Sequence, residues 1–469
     1  MTGAVTHVVV VGGGISGLAA AFRLRRLLGA DARIMVVEQA RTLGGKLRTV
    51  PLAGLPFDVG AEAFLVRRPE ALALVRELGL SDELVHPGPA GACVRFDGRT
   101  APLPPRTLLG VPAAPDGLEH LLSAAGLARV RAEPSLPMRW DGSDVAVGPL
   151  VSRRLGAEVA SRLVDPLLGG VYAGRADTLG LRPTMPPLAA ALDALAAAGQ
   201  PPSLLAAAAA VLPASAGDGP LFGALRGGMS VLVDALVRAA RAELRLGLPV
   251  RGLARTADGW RLEIGPAPAP EYLDADGVLL AVPPPALRRL LAPLHPVACA
   301  AAGGIGVASS VIVSLALPGV ASAALPAASG VLVAAGEPLH TKAFTFSGVK
   351  WPHLQGGATV LRASLGRRGE DVGILQADDA ELVRLVRADL ASLTGITAPP
   401  VDAAVTRWGG GLPQYDVGHL DRVAAIEAGV ASLPRLAVAG ATLHGIGIPA
   451  CIATADAAAH RLAAQLPAS

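Results

Sequence analysis

The chain has few cysteines, few lysines and few aromatic residues. Its three cysteines, Cys93, Cys299 and Cys451, are far apart and odd in number among 469 residues. There is no CxxC pair and no HxH or HExxH motif. A disulfide framework and a thiolate or histidine metal site are therefore disfavoured. We predict no metal site and a reducing, cytoplasmic location.

A strong charge of either sign is also missing. Lys and Arg total 41 against 38 Asp and Glu, a net charge of +3 with no basic cluster, so no nucleic acid is expected as a partner. Every long apolar stretch is interrupted by charge, proline or glycine, which predicts no transmembrane helix. Peripheral contact with the inner face of the membrane stays open. The length exceeds what one hydrophobic core supports, so two or more lobes are expected.

The first pattern that is present is a strand, a glycine loop and a helix. Residues 7–11 are a β-branched run typical of a buried parallel strand, and residues 15–28 predict a helix that ends at Gly29. The loop between them satisfies GxGxxG, with residues Gly12, Gly13, Gly14, Ile15, Ser16 and Gly17. A second strand is predicted at 33–37, and Glu38 follows it, where a carboxylate takes ribose hydroxyls. This context predicts a dinucleotide whose pyrophosphate lies at the helix N-terminus.

Two further glycine segments indicate where the dinucleotide extends. Gly44 and Gly45 precede Lys46, and adjacent glycines let the chain pass close to an extended cofactor such as FAD. Near the C-terminus, a strand at 435–439 leads into a glycine loop and a helix at 452–466. A helix start there can face the isoalloxazine ring and stabilise negative charge on it. Both ends of the chain are therefore expected to meet at one flavin.

The rest of the chain predicts an alternation of helices and strands. Helices are expected at 69–79, 151–168, 226–245 and 379–394, a strand at 277–282, and hairpins at 93–103 and 249–264. Residues 183–220 are rich in Ala, Pro and Gly, which indicates a helix with flexible linkers. The fold class is α/β.

Several segments together resemble the oxygen-dependent porphyrinogen oxidases, which belong to the FAD-containing amine oxidase superfamily. The resemblance rests on Phe57–Leu65, Leu168–Gly174, Arg226–Met229, Arg407–Trp408, Pro413–His419 and Gly447–Ile452. It implies a Rossmann-type FAD-binding domain split along the chain, a mixed-sheet substrate domain and a helical domain often used for membrane docking. The boundaries expected are 1–66, 219–281 and 404–469 for the first, 67–92 and 282–403 for the second, and 93–218 for the third.

The resemblance also implies the cofactor contacts. FAD is expected to be bound without a covalent link, and Cys451 is interpreted as a small buried residue. The residues expected to contact FAD are Gly12, Gly13, Gly14, Ile15, Ser16, Gly17, Glu38, Gln39, Gly45, Lys46, Gly60, Ala61, Glu62, Ala63, Val250, Trp408, Ile446, Gly447 and Ile448.

The activity implied is oxidation of a porphyrinogen to a porphyrin, with the flavin carrying the chemistry and no catalytic side chain. Molecular oxygen accepts the electrons as peroxide, and the product passes to a ferrochelatase. Family members act on coproporphyrinogen III or on protoporphyrinogen. Residues 90–93 lack the arginine of the protoporphyrinogen type, whereas Arg67 and Arg68 match the basic pair of the Gram-positive type, which favours coproporphyrinogen.

Some assignments have alternatives at this stage. Arg67 and Arg68 either grip propionates or lead, solvated, into the next helix. Tyr415 is predicted to bind substrate, the alternative being that it packs with its hydroxyl bonded. Lys342 and Lys350 either meet propionates or are surface charges. For the whole chain, an amine oxidase, a carotenoid desaturase and an FAD-stabilised partner without turnover are the rival functions.

Overall fold

Strands and helices alternate along the computed structural model, which describes residues 5–212 and 219–466. The strands are β1 (His7–Val11), β2 (Arg33–Glu38), β3 (Thr49–Leu52), β4 (Leu55–Asp58), β5 (Phe64–Leu65), β6 (Leu84–Val85), β7 (Ala92–Phe96), β8 (Arg99–Pro102), β9 (Thr107–Leu108), β10 (Val111–Pro112), β11 (Phe222–Leu225), β12 (Glu243–Leu246), β13 (Val250–Arg255), β14 (Trp260–Ile264), β15 (Glu271–Ala275), β16 (Gly277–Leu280), β17 (Val307–Pro318), β18 (Gly330–Val333), β19 (Thr341–Thr345), β20 (Ala358–Leu365), β21 (Asp402–Pro413) and β22 (Leu436–Val438). The helices are α1 (Ile15–Leu28), α2 (Pro69–Glu77), α3 (Ala124–Ala132), α4 (Val147–Leu155), α5 (Ala157–Val159), α6 (Asp165–Tyr172), α7 (Leu181–Thr184), α8 (Pro186–Ala197), α9 (Leu204–Val211), α10 (Ser230–Ala240), α11 (Pro284–Leu291), α12 (Pro296–Gly303), α13 (Ser347–Lys350), α14 (Asp371–Gln376), α15 (Asp379–Thr394), α16 (His419–Ala431) and α17 (Ile448–Ala463).

The first sheet is parallel and has the strand order β12-β2-β1-β16-β22. Side chains alternate along β1, because successive residues of a strand point to opposite faces. Val8 and Val10 pack with α1, α10 and α17, whereas Val9 and Val11 pack with the helices and small sheet of the opposite face. Both faces are covered, as the uninterrupted valine run predicts. The α/β class and the first βαβ unit are confirmed.

Three secondary-structure predictions need correction. The helix expected at 226–245 ends at Ala240, because Arg241 takes a left-handed conformation with φ 47° and the chain then forms β12 at the sheet edge. The C-terminal helix begins at Ile448, earlier than expected, and Pro449 occupies its first turn, where a missing N–H costs nothing. The helix expected at 151–168 is interrupted at Gly156, which has φ 97°.

A seven-stranded mixed sheet with the order β21-β17-β20-β19-β18-β7-β8 forms the second lobe. Two expected domain boundaries differ from this pairing. The hairpin of β7 and β8 falls in the range expected for the helical domain, yet β7 pairs in parallel with β18. Strand β21 falls largely in the range expected for the FAD domain, yet it pairs with β17 along most of its length.

Helices α2, α11 and α12 fall in the residue ranges expected for the substrate domain, but they pack on the parallel sheet of the first lobe. Leu74 of α2 packs into the core around α1, and Leu287 of α11 and Ala298 of α12 pack under the opposite face of the parallel sheet. Helices α3–α9 form the third lobe. In the range 183–220, where a helix with flexible linkers was expected, the structure has the two helices α8 and α9, while residues 213–218 lie outside the described residues.

A buried ion pair fixes the helical lobe. The Glu133 carboxylate is fully buried and accepts hydrogen bonds from Arg154 Nε at 2.8 Å, Ser203 Oγ at 2.5 Å and the Leu204 amide at 2.9 Å. Such full pairing is what makes a buried charge tolerable. In the part of the chain that the structure describes, no helix is long and apolar enough to cross a membrane.

Candidate functional site

The glycine loop between β1 and α1 is shaped by close backbone contacts. Gly12 has φ 107°, and its amide donates to the Val37 carbonyl oxygen at 2.8 Å. A Cβ at Gly12 would overlap the Ala281 carbonyl oxygen, and one at Gly17 would overlap the Gly12 carbonyl oxygen. The loop therefore requires glycine at both positions. It leaves the first-turn amides of α1 directed at the loop, where a pyrophosphate can accept their hydrogen bonds.

Glu38 closes the other side of this loop. One carboxylate oxygen accepts the Gly13 amide at 2.7 Å and the other accepts the Ala40 amide at 2.7 Å. Each oxygen keeps acceptor capacity after one hydrogen bond, so both can still accept a ribose hydroxyl. Gln39, the next residue, is exposed.

The segment Gly44–Lys46 lies against the glycine loop. The Gly44 amide donates to the Gly13 carbonyl oxygen at 2.8 Å, and both glycines have positive φ, 97° at Gly44 and 57° at Gly45. A Cβ at Gly45 would lie 3.2 Å from the Gly14 Cα. The two glycine segments thus form a narrow cradle that an added side chain would fill, which fits an extended dinucleotide.

The cradle continues toward the second lobe. The Lys46 carbonyl oxygen accepts the Ala61 amide at 2.9 Å, and a Cβ at Gly60 would overlap that oxygen. The Trp408 indole of β21 donates to the Val59 carbonyl oxygen at 3.0 Å. The predicted cofactor segments around residues 46, 60–63 and 408 are therefore brought together where the two lobes meet.

Glu62 is held by two cations at this junction. Its carboxylate lies 2.5 Å from Lys350 Nζ and 3.3 Å from an Arg362 nitrogen, and Arg362 also donates to the Gly60 carbonyl oxygen at 2.7 Å. Although burial opposes ionisation, Arg362 and Lys350 hold the pKa of Glu62 down at about 2. Because that carboxylate is engaged, a contact of Glu62 with the cofactor would use its backbone.

Sequence reasoning missed Lys350 and Arg362 as partners of Glu62. The available signal was that lysine occurs only three times in the chain, so each lysine was a candidate for a specific contact. None of the three lysines is exposed. Lys342 is buried and donates to the Gly366 carbonyl oxygen at 2.6 Å, so neither Lys342 nor Lys350 is the surface charge that one alternative proposed.

The loop before α17 is organised by Tyr415. Its hydroxyl donates to the Ala441 carbonyl oxygen at 2.7 Å and accepts the Gly445 amide at 2.8 Å. The ring stacks on His419, 3.8 Å between centroids, and His419 bonds the Leu443 carbonyl oxygen at 2.9 Å. Tyr415 is 1% exposed. Its hydroxyl is used by the loop backbone, as the alternative of a packed tyrosine with a bonded hydroxyl has it, and a contact with substrate stays a prediction.

The first turn of α17 completes the cleft. Gly447 is the N-cap, and its carbonyl oxygen accepts the Cys451 amide at 3.0 Å. Cys451 is buried, and burial raises the pKa of its thiol. A protonated, enclosed thiol is a poor nucleophile, in keeping with a small packing residue and a non-covalent flavin. Of the other residues predicted to contact FAD, Ile15, Ser16, Val250 and Ile448 are buried, while Ala63 and Ile446 are half-buried.

The predicted propionate pair lies on the surface. Arg67 and Arg68 are exposed, and Arg68 precedes α2 and pairs with Glu70 at 2.7 Å. Arg68 also lines a cavity of about 250 Å³ together with His444 and with Arg461 of α17. Their role toward a substrate stays a prediction.

Comparison with known proteins identifies the class. The model of the flavin-containing amine oxidoreductase family matches residues 15–463. The chain therefore belongs to the flavin-containing amine oxidoreductases. It is an oxidoreductase, and its cofactor is FAD.

Within that family the similarity points to one group. The chain is 45% identical over 458 residues to the coproporphyrinogen III oxidase of Mycobacterium leprae, covering 97% of this chain and 98% of that protein. It is 46% identical over 453 residues to the coproporphyrinogen III oxidase of Mycobacterium tuberculosis strain H37Rv, covering 96% and 95%. The resemblance to porphyrinogen oxidases is confirmed.

A solved structure agrees with the fold. A protein from Exiguobacterium sp. 255-15, assigned provisionally as a protoporphyrinogen oxidase, superposes with a TM-score of 0.86 at 29% identity, covering 98% of this chain and 99% of that one. The predicted fold class, with a Rossmann-type domain split along the chain, is confirmed.

Proposed function

We propose that this chain oxidises coproporphyrinogen III to coproporphyrin III, with oxygen as the acceptor and hydrogen peroxide as the second product. One observation in the structure carries the proposal. The two segments most specific to the porphyrinogen oxidases interlock at the cofactor cleft, because the Tyr415 hydroxyl of the first bonds the backbone at Ala441 and Gly445, which leads into the second. The similarity to coproporphyrinogen III oxidases over nearly the whole chain supports the same function.

The protein's own residues bind and orient rather than react. The α1 amides would hold the pyrophosphate, Glu38 would hold the ribose, and the start of α17 would present its positive dipole end to the ring. Bound FAD supplies the electron acceptor for each of the three two-electron oxidations that make a porphyrin. No side chain is required as nucleophile or metal ligand, and within residues 5–212 and 219–466 no cluster of His, Cys, Asp or Glu could hold a metal.

The substrate preference rests on charge. Coproporphyrinogen III carries four propionates, and guanidinium groups suit carboxylates through bidentate hydrogen bonds. Arg95 and Arg367, at the substrate sheet, are already engaged with Glu337 at 3.3 Å and Asp165 at 2.8 Å. Arg67 and Arg68 remain the proposed propionate contacts. The alternative substrate is protoporphyrinogen IX, which the provisional assignment of the Exiguobacterium protein favours.

An amine oxidase function lacks structural support. An amine substrate would be oriented by an open pair of aromatic rings beside the flavin. The structure does pair Tyr172 with Tyr415, 5.5 Å between centroids, but the two residues are only 6% and 1% exposed. Both rings belong to the core of the helical lobe and leave no room for a substrate between them.

The test is oxidation of coproporphyrinogen III and protoporphyrinogen IX by the purified flavoprotein, followed by porphyrin fluorescence and peroxide release. We expect turnover of coproporphyrinogen III with a clear preference in kcat/KM, and no sustained turnover without oxygen. A preference for protoporphyrinogen IX would keep the reaction and reject the propionate argument. Inactivity on both, with an intact flavin spectrum, would reject the proposal.

A further inference from the structure

We propose that the Lys46 ammonium lies beside the flavin ring and neutralises negative charge on it, thereby setting the redox potential of the bound cofactor. The inference rests on FAD binding and not on the identity of the substrate. It concerns the side chain of Lys46, because the contacts described above involve only the backbone of this residue.

The backbone of Lys46 is fixed on both sides. Gly44, two residues earlier, is bonded to the loop that receives the pyrophosphate, and the Lys46 carbonyl oxygen accepts the Ala61 amide at 2.9 Å. The side chain is therefore attached at a rigid point between the glycine loop and the 60–63 segment, and its direction is determined by what it packs against.

That direction is away from the pyrophosphate. Lys46 Cε reaches the substrate-lobe strand β21, where a Cβ at Gly411 would lie 3.4 Å from it and 3.2 Å from the Trp408 Cβ. On the other side the Lys46 ammonium lies near the Cys451 thiol in the first turn of α17. The ammonium thus lies between β21 and the start of α17, the two elements expected to enclose the isoalloxazine ring.

Among the described residues, no carboxylate forms an ion pair with the Lys46 ammonium. Lys350, in contrast, pairs with Glu62 at 2.5 Å. The surroundings of Lys46 are mostly protein, and this desolvation lowers its pKa. An unpaired ammonium in a cleft is costly unless an anion joins it, and the cofactor is the anion this cleft is built to receive.

Two sources of positive potential would then act on the ring. One is the ammonium, and the other is the N-terminal end of the 16-residue α17. An opposite charge within about 4–6 Å stabilises the anionic form of a group. The affinity for sulfite measures how well the protein stabilises negative charge on the ring. Sulfite adds as a nucleophile to the oxidised ring, forms one S–N bond and leaves a negative charge delocalised on the ring.

The experiment compares the FAD-loaded wild type with K46M, K46R and R48Q. R48Q removes an exposed cation close in sequence and serves as the matched control. We expect K46M to weaken sulfite binding at least about tenfold and to lower the two-electron midpoint potential by about 30 mV or more. K46R should stay within about threefold of the wild type, since it keeps the charge, and R48Q should match it.

Several results would overturn the proposal. Equal sulfite affinity and potential in K46M and the wild type would do so. So would a loss of FAD affinity in K46M with sulfite binding unchanged after full loading, because the charge would then serve the pyrophosphate. If K46M is purified without flavin, K46Q reconstituted with excess FAD provides the same two measurements. Neither measurement needs a porphyrinogen, so failure of the proposed substrate leaves this test intact.

Discussion

The two ends of the cofactor cleft are built in different ways. The end proposed for the pyrophosphate is built around consecutive residues, Gly12 to Gly17, which pack closely on one another and on backbone atoms at Val37 and Ala281 of the adjacent chain segments. The end proposed for the flavin ring is assembled from four separate segments, some of them hundreds of residues apart: Lys46, the 60–63 segment, Trp408 and the start of α17.

This difference indicates how each end of the cleft should respond to amino-acid substitution. At Gly12 and Gly17 the constraint is backbone space, which only glycine leaves free. At the ring end the constraint is a set of hydrogen bonds and ion pairs between lobes, such as Glu62 with Lys350 and Arg362. A substitution at the first end should mainly weaken FAD binding, whereas one at the second should mainly lower the free energy of unfolding.

The largest effect is expected from G17A. Its Cβ would overlap the Gly12 carbonyl oxygen, so the loop must move before α1 can pack. We expect FAD affinity to fall by at least about 100-fold, equivalent to about 3 kcal/mol. The measurement is the FAD-to-protein ratio after purification and titration of the apoprotein with FAD. G373A, in the exposed part of α14 with no positive φ and no atom near its Cβ, should bind FAD normally; equal losses in both would contradict the argument.

The next largest effect is expected from E62Q, which removes the ion pairs of Glu62 at the ring end. It leaves Lys350 and Arg362, both largely buried, without their anion, and breaking a buried pair costs about 3–5 kcal/mol. We expect the free energy of unfolding to fall by about that amount in urea denaturation. E243Q, which breaks the exposed pair with Arg33, should cost under about 1 kcal/mol. Similar values for the two variants would show that the junction is not energetically special.

The same contrast decides what could be predicted from the sequence. The glycine loop, β1, α1 and β2 were predicted because strand periodicity and GxGxxG spacing are local signals. The ring end was found only through motif resemblance, and its internal contacts were not. No local pattern pairs Lys350 with Glu62, which lies 288 positions earlier in the chain.

Tyr415 shows the same limit. Its motif marked it as important, but only the folded chain reveals that its hydroxyl joins Ala441 and Gly445. Two expected domain boundaries differ from the strand pairing for a related reason, since β7 and β21 join the mixed sheet through long-range pairing. The edge strand β12 was mistaken for helix because the left-handed turn at Arg241 has no strong sequence signal.

Y415F tests the contribution of a single hydroxyl to the ring end, because it removes only the group that bonds Ala441 and Gly445. Removing it leaves the Gly445 amide without a buried acceptor and should cost about 1–3 kcal/mol. We expect about tenfold weaker FAD binding with KM for the porphyrinogen unchanged, because the loop and not the substrate is affected. The exposed Tyr272 gives the control Y272F, expected to behave as wild type. A raised KM with normal FAD affinity in Y415F would instead support the prediction that Tyr415 binds substrate.

The smallest effect is a pH dependence at the ring end. Burial raises the pKa of Asp58 to about 6 from its ordinary 3.8, although hydrogen bonds from Thr49 at 2.6 Å and the Met229 amide, and the charge of Arg362, oppose the shift. Since the folded chain favours protonated Asp58, its contribution to stability is complete below about pH 3.8 and is lost as the pH rises through 6. Neighbouring Glu62 acts oppositely: its pKa is lowered to about 2, so its contribution is present above pH 4.5 and is lost as the pH falls toward 2.

D58N should remove only the first of these two dependences. The wild type is expected to lose about 1–2 kcal/mol of unfolding free energy between pH 4.5 and pH 7 through Asp58, and D58N should show a correspondingly flatter profile. Urea denaturation across that range measures the difference. Because no ionisable side chain belongs to the glycine loop from Gly12 to Gly17, a pH profile altered by D58N would assign the titration to the ring end. Parallel profiles for D58N and the wild type would instead mean that Asp58 stays ionised in the folded chain.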